Sequence, residues 1–252
     1  MVTNDSEKRL ADMRCLITGG SRGLGRALVL AFTRAGAKVA YTFHRRADEA
    51  EETRAQAAAL GAEPLVFQGS VADAAHVAEV VRAVREAWGG IDVLVNNAAH
   101  NQIVPIGLLE EDDWDYTMAV NVKGPYLFAR ACLKPMIKAR RGHIVNIGSF
   151  GAERAFEAPA HYAASKGALL GFTRALAAEM GRYGVQVNYV APGLLDTGMG
   201  ARLPAHRRDE YVGQTALGRL GSADEVAETI AWLVSGQHRF ITGAPLVIDG
   251  GL

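Results

Sequence analysis

Short apolar runs alternate with longer amphipathic stretches along the whole of this 252-residue chain, and that alternation leaves few folds open. The apolar runs Arg14–Thr18, Lys38–Phe43, Leu65–Phe67, Asp92–Asn96, His143–Ile147, Val185–Val190 and Pro245–Ile248 predict strands. Between them, Gly23–Ala35, Glu49–Leu60, Ala74–Trp88, Glu111–Ala139, Tyr162–Arg182 and Ala223–Val234 predict helices. In the first of these, Leu24, Ala27, Leu28 and Ala31 share one face, as a helical period requires. Strands that are apolar at almost every position have both faces covered, which points to a parallel sheet. Crossover connections then wind helices onto both sides, giving a single-domain, doubly wound α/β (Rossmann) fold. We expect one domain over 13–252, with 1–12 as a flexible lead-in. The stretch 194–216 has glycines, mixed charge and weak periodicity, and it follows a strand C-terminus, where ligands bind in such sheets. It reads as a substrate lid.

Composition narrows the function classes. Basic and acidic residues balance at 27 each, so there is no large positive field for nucleic acid or an anionic membrane. No apolar run approaches the ~20 residues of a membrane span. The polar stretch Val2–Met13 lacks a signal-peptide core, and two cysteines, Cys15 and Cys132, make no disulfide framework. The expectation is a cytoplasmic protein. The seven histidines show no metal-ligand spacing, so no metal site is expected.

After the first strand comes Thr18-Gly19-Gly20-Ser21-Arg22-Gly23-Leu24-Gly25. Glycines here permit a tight turn, close approach of a pyrophosphate and close helix packing on the sheet. The helix that follows aims free N–H groups at the anion. Gly19, Ser21, Arg22, Gly23, Leu24 and Gly25 are therefore candidate dinucleotide contacts. At the end of the second strand an NAD enzyme needs a carboxylate for the ribose 2′-hydroxyl. This chain has His44-Arg45-Arg46, and the nearest carboxylate, Asp48, opens the next helix. With Arg22, these arginines suit a 2′-phosphate, so the expected cofactor is NADP(H).

Tyr162 and Lys166 are four apart and share a helix face. A phenol with a pKa of roughly 10 exchanges protons poorly at neutral pH. An ammonium at ~4 Å contributes about 4 kcal/mol at an effective dielectric of 20, enough to lower that pKa by up to ~3 units. Ser149 follows a strand at the ligand edge and can polarise a carbonyl. Asn121 lies inside a helical region, where its amide can break the ladder and hold a water for proton relay. Each residue alone is unremarkable; the weight lies in the set and its order.

These residues resemble the short-chain dehydrogenase/reductase family from about Met13 to Leu252. The matching pieces are T-G-G-S-R-G-L-G at 18–25, N-N-A at 96–98, N-V-K-G at 121–124, I-G-S at 147–149, Y-A-A-S-K at 162–166, P-G-L-L-D-T at 192–197 and I-T-G-A-P-L-V-I-D-G-G at 241–251. The resemblance implies a catalytic tetrad of Asn121, Ser149, Tyr162 and Lys166. It implies Asn97 beside the adenosine ribose, Ala98 and Ala99 along the cofactor, and Pro192, Gly193, Leu195 and Thr197 about the nicotinamide; Tyr162 and Lys166 are also expected to contact the cofactor, the lysine with spare donors for the nicotinamide ribose. Two positions depart from the family pattern. Ser70, before Val71, replaces an aspartate that contacts adenine, and Ala99 replaces a glycine. Within the family the chain looks most like 3-oxoacyl-[acyl-carrier-protein] reductases, through D-T-G-M at 196–199 and L-G-R-L-G at 217–221. That implies reduction of a ketone to a secondary alcohol. Sugar, polyol or steroid alcohol dehydrogenases are an alternative, and a non-catalytic NADPH-binding regulator is a remote one. An acidic acyl-carrier protein could dock on Lys134, Lys138, Arg140 and Arg141. The loop from Phe150 to His161, with Glu153, Arg154, Phe156 and Glu157, is expected to wall the substrate pocket, with His100 and Asn101 opposite. The family resemblance also implies a homotetramer.

Overall fold

The computed structural model describes residues 8–152, 158–198 and 200–252. A seven-stranded sheet runs through the middle, in the order β3-β2-β1-β4-β5-β6-β7, with every pairing parallel. The strands are β1 (Arg14–Ile17), β2 (Lys38–Phe43), β3 (Leu65–Gln68), β4 (Val93–Asn96), β5 (Gly142–Ile147), β6 (Val185–Pro192) and β7 (Pro245–Ile248). The helices are α1 (Gly23–Arg34), α2 (Ala47–Ala59), α3 (Ala74–Trp88), α4 (Glu111–Met118), α5 (Gly124–Ala139), α6 (Ala160–Met180), α7 (Ala205–Gln214) and α8 (Ala223–Leu233).

Successive strand residues face opposite sides, as the pleat dictates. Cys15, Ile17, Val39, Tyr41, Val93 and Val95 enter one core layer with α1 and α8. Leu16, Ala40, Leu94 and Ile144 enter the other, with α3 and α5. The strand order reverses between β1 and β4, which opens a crevice at the strand C-termini.

Four expectations need correction. α2 opens at Ala47 and α6 at Ala160, each two residues early, because the polar first turns carry no apolar period. Residues 8–12 are not a loose lead-in: Leu10 is fully buried and its N–H donates to Ala35 O at 2.9 Å. The 194–216 stretch contains a regular helix, α7, whose only buried residue is Tyr211, so an apolar stripe was not there to be read. The region 111–139 is helical throughout, but Ala119–Lys123 is wound as a π-helix. No described helix is long and apolar enough to cross a membrane.

Candidate active site

One cavity of about 1160 Å³ lies along the C-terminal ends of the strands, larger than the roughly 300–1,000 Å³ of a typical small-ligand site. It is lined by Gly19, Ser21, Arg22, Gly23, Leu24 and Gly25 of the glycine turn and by His44, Arg45 and Arg46 after β2. Ser70, Val71, Asn97, Ala98, Ala99, Ser149, Tyr162, Lys166, Pro192, Gly193, Leu195 and Thr197 complete the wall. Of the predicted site residues, Asn121 alone is set back from it.

The turn after β1 has the shape its glycines anticipate. Gly19 sits at φ +70°, and a Cβ on Gly25 would lie 1.9 Å from Gly19 O. Arg22, the residue before α1, makes no side-chain cap, so the first-turn amides face the cavity uncapped by it. That is a cradle for a phosphate anion. The Asn97 amide nitrogen is engaged with Thr18 O and Gly19 O, both at 3.0 Å, so it braces the turn. Arg22 and Arg46 line the cavity on the side of the glycine turn and β2. Each also pairs with Glu49, at 3.6 and 3.7 Å. Glu49 escaped the sequence reading: Arg46 lies only three residues away, but the fold alone brings Arg22 to it.

At the other end, β5 delivers Ser149 and α6 delivers Tyr162 and Lys166. Lys166 is buried and its Nζ donates to Ile147 O at 2.7 Å, with the Tyr162 ring centroid 5.6 Å away. Burial pushes the Lys166 ammonium down to about 8. Burial pushes the Tyr162 phenol up to about 12, against a smaller opposing pull from the Ser149 hydroxyl. The expected lowering of the phenol by Lys166 is therefore corrected: among the protein groups, desolvation wins. A phenol held protonated is suited to donate a proton.

Asn121 also differs from its expected use. Its Oδ1 accepts from His100 N at 2.7 Å, and its Nδ2 donates to His100 O at 2.9 Å and Ser165 Oγ at 3.0 Å. Both amide donors are thus taken by protein groups, so the side chain ties the loop after β4 to α6 and does not offer them to a water. Ser165 in turn donates to Tyr162 O at 2.7 Å. Ser165 was missed, although it sits inside Y-A-A-S-K.

Comparison with known proteins decides the family. The family model described as "Enoyl-(Acyl carrier protein) reductase" matches residues 19–252. The 3-oxoacyl-[acyl-carrier-protein] reductase FabG of Thermotoga maritima is 36% identical over 97% of this chain and 99% of that protein. The chain belongs to the short-chain dehydrogenase/reductase family. Two solved structures of that family agree with it closely. A short-chain dehydrogenase of Burkholderia cenocepacia in complex with NADP is 40% identical, with a TM-score of 0.89 over 96% of this chain and 98% of that one. A Serratia marcescens short-chain dehydrogenase/reductase is 36% identical, with a TM-score of 0.90 over the same shares.

The cavity of this short-chain dehydrogenase/reductase is also lined by two aromatic pairs. The His100 and Tyr116 rings meet edge to face at 4.8 Å, and those of Phe150 and Tyr211 at 5.7 Å. Desolvation leads in lowering His100 below its usual range, which favours a neutral imidazole. Phe150, Gly151, Ala158 and Pro159 form the wall expected of their loop; Glu153, Arg154, Phe156 and Glu157 lie outside the described residues. Asn101 lines the cavity opposite. No cluster of metal-ligating side chains occurs among the described residues.

The basic cluster is placed against its expected role. Lys134 and Lys138 lie late in α5, and Arg140 and Arg141 lead into the start of β5. That is the N-terminal edge of the sheet, while the cavity is at the C-terminal edge, roughly 20 Å away along a six-residue strand. Arg140 donates to Arg182 O at 2.8 Å, and Arg141 pairs with Asp92 at 3.1 Å. The cluster expected to receive a carrier thus lies away from the cavity mouth, with Arg140 and Arg141 already engaged inside the chain.

Proposed function

We propose that this oxidoreductase reduces a ketone to a secondary alcohol with NADPH, and that its substrate is a 3-oxoacyl thioester. The observation that carries the reading is Tyr162 in the cavity wall with Ser149 beside it and Lys166, anchored to Ile147 O, behind. NADPH, when bound, supplies the hydride. Ser149 and Tyr162 orient the carbonyl by hydrogen bonds that strengthen as negative charge grows on its oxygen. Tyr162 gives its proton to that oxygen. Lys166 stabilises the resulting phenolate and returns a proton to it. Asn121 fixes the loop that closes the pocket.

The residues present fit the cofactor. The glycine turn is wound so tightly that a Cβ on Gly25 would strike Gly19 O, its first-turn amides border the cavity, and Arg22, Arg45 and Arg46 supply cations for a 2′-phosphate. Ser70 and Val71 would border the adenine, Asn97, Ala98 and Ala99 the length of the dinucleotide, and Pro192 to Thr197 the nicotinamide. The NADP-bound relative supports that choice. The lid reading of 194–216 and a tetrameric assembly in the cytoplasm belong to the same proposal.

One observation favours a second reading, a sugar or polyol alcohol as substrate. The outer cavity is lined by His206, Arg207, Glu210 and Gln214 of α7 as well as His100 and Asn101, a polar set.

The test is NADPH oxidation with acetoacetyl thioesters, on a small thiol and on an acyl-carrier protein, with NADH alongside. Turnover favouring NADPH and the carrier-bound substrate is expected. Turnover on sugars or polyols, with none on thioesters, would overturn the substrate assignment in favour of the second reading.

A further inference from the structure

Tyr189 is a tyrosine in an otherwise mostly aliphatic, fully buried stretch of β6. A phenol in such a place needs partners for its hydroxyl, or burial is costly. Two of its partners belong to the catalytic residues. Its Oη accepts from the Ser149 main-chain N–H at 3.1 Å and donates to the Lys166 main-chain O at 3.3 Å. One hydroxyl therefore joins two residues on different elements. Ser149 leaves the end of β5, and Lys166 is on the second turn of α6.

The neighbouring residue is shaped to admit this ring. A Cβ on Gly148 would lie 1.9 Å from Tyr189 Cζ and 2.3 Å from its Oη. Only a residue without a side chain leaves the phenol room to reach Ser149 N. The same strand end is held a second time, because Lys166 Nζ donates to Ile147 O at 2.7 Å. Side chain and main chain of Lys166 thus both reference the segment 147–149, the second contact passing through Tyr189.

We propose that Tyr189 is a positioning residue for the reaction: its hydroxyl sets Ser149 relative to the Tyr162–Lys166 face of α6. It is fully buried and does not line the cavity. The proposal rests on the roles given to Ser149 and Lys166 under the function above.

The experiment measures steady-state kinetics and NADPH affinity on the full-length chain. Tyr189→Phe keeps the ring and removes the bridge. Turnover should fall about 10- to 100-fold, with the NADPH dissociation constant within about twofold of wild type and melting still cooperative. In a Ser149→Ala background the same change should cost less than about threefold, since the residue through which it acts is gone. Gly148→Ala, which displaces the ring while leaving the hydroxyl present, should lower turnover in the same way. Wild-type turnover in Tyr189→Phe or in Gly148→Ala would overturn the proposal, as would equal losses with and without Ser149. Failure of the parent reading looks different: Ser149→Ala and Tyr162→Phe would then turn over normally, and this inference would fall with it.

Discussion

Asn121 grips His100 by both of its main-chain polar groups, accepting its N–H at 2.7 Å and donating to its carbonyl at 2.9 Å. A third bond from the same amide reaches Ser165 on the helix that carries Tyr162 and Lys166. The loop wall of the substrate pocket and the catalytic helix are therefore referenced to one side chain, seated in a π-helical turn. Such turns often mark functional positions.

Asn121→Ala should leave these partners unpaired in a buried setting, at about 1–3 kcal/mol. The expected result is a melting temperature lower by several degrees and turnover reduced at least tenfold. Asn121→Asp should be more severe, because a carboxylate would face the His100 carbonyl. Differential scanning fluorimetry and NADPH oxidation check both. Equal stability of all three proteins would contradict this role.

The pH dependence of cofactor binding follows from Lys166. Burial holds its ammonium at about 8, below the free value of 10.5. The group is charged below pH 8 and loses its charge as pH rises through that value. NADPH affinity should therefore weaken between pH 7 and pH 9. In Lys166→Met the affinity should be lower at pH 7 and nearly flat over that interval. Fluorescence titration of NADPH at each pH reads this.

Cofactor choice should respond at the arginines. Arg22→Ala should weaken NADPH about tenfold and leave NADH within about twofold, since only one of the two carries a 2′-phosphate. Equal weakening of both would place Arg22 at the pyrophosphate instead.

Acid stability has a separate source at the far edge of the sheet. Desolvation depresses the His143 imidazole from 6.5 to about 4, partly opposed by Asp92. The unfolded chain binds that proton at higher pH than the folded one. Stability from this group is present above pH 6.5 and is lost as pH falls towards 4, at about 1.4 kcal/mol per pH unit. His143→Gln should flatten that limb in denaturant melts between pH 7 and pH 4.

The fold was largely legible because a parallel sheet covered on both faces writes its strands as apolar runs. Val93–Asn96 and Val185–Pro192 are the clearest. The helix α7 was not legible, since it buries only the Tyr211 ring and is polar elsewhere. The site was legible where function demands a local spacing, as at Tyr162 and Lys166. It was hidden where contacts join distant segments. Tyr189 carries no local pattern and acquires its partners only when strands and helices are assembled, as does the pair Arg22–Glu49. The basic residues 134–141 show the converse. They are adjacent in sequence and suggest a surface, but the direction of β5 puts them at the edge of the sheet opposite the cavity.

The measurement that tests the account most directly compares wild type with Tyr162→Phe for NADPH binding and for NADPH oxidation by a ketone substrate. The account predicts unchanged binding and turnover lower by at least about three orders of magnitude, in keeping with the loss of a positioned general acid. Turnover of Tyr162→Phe at the wild-type rate would contradict it.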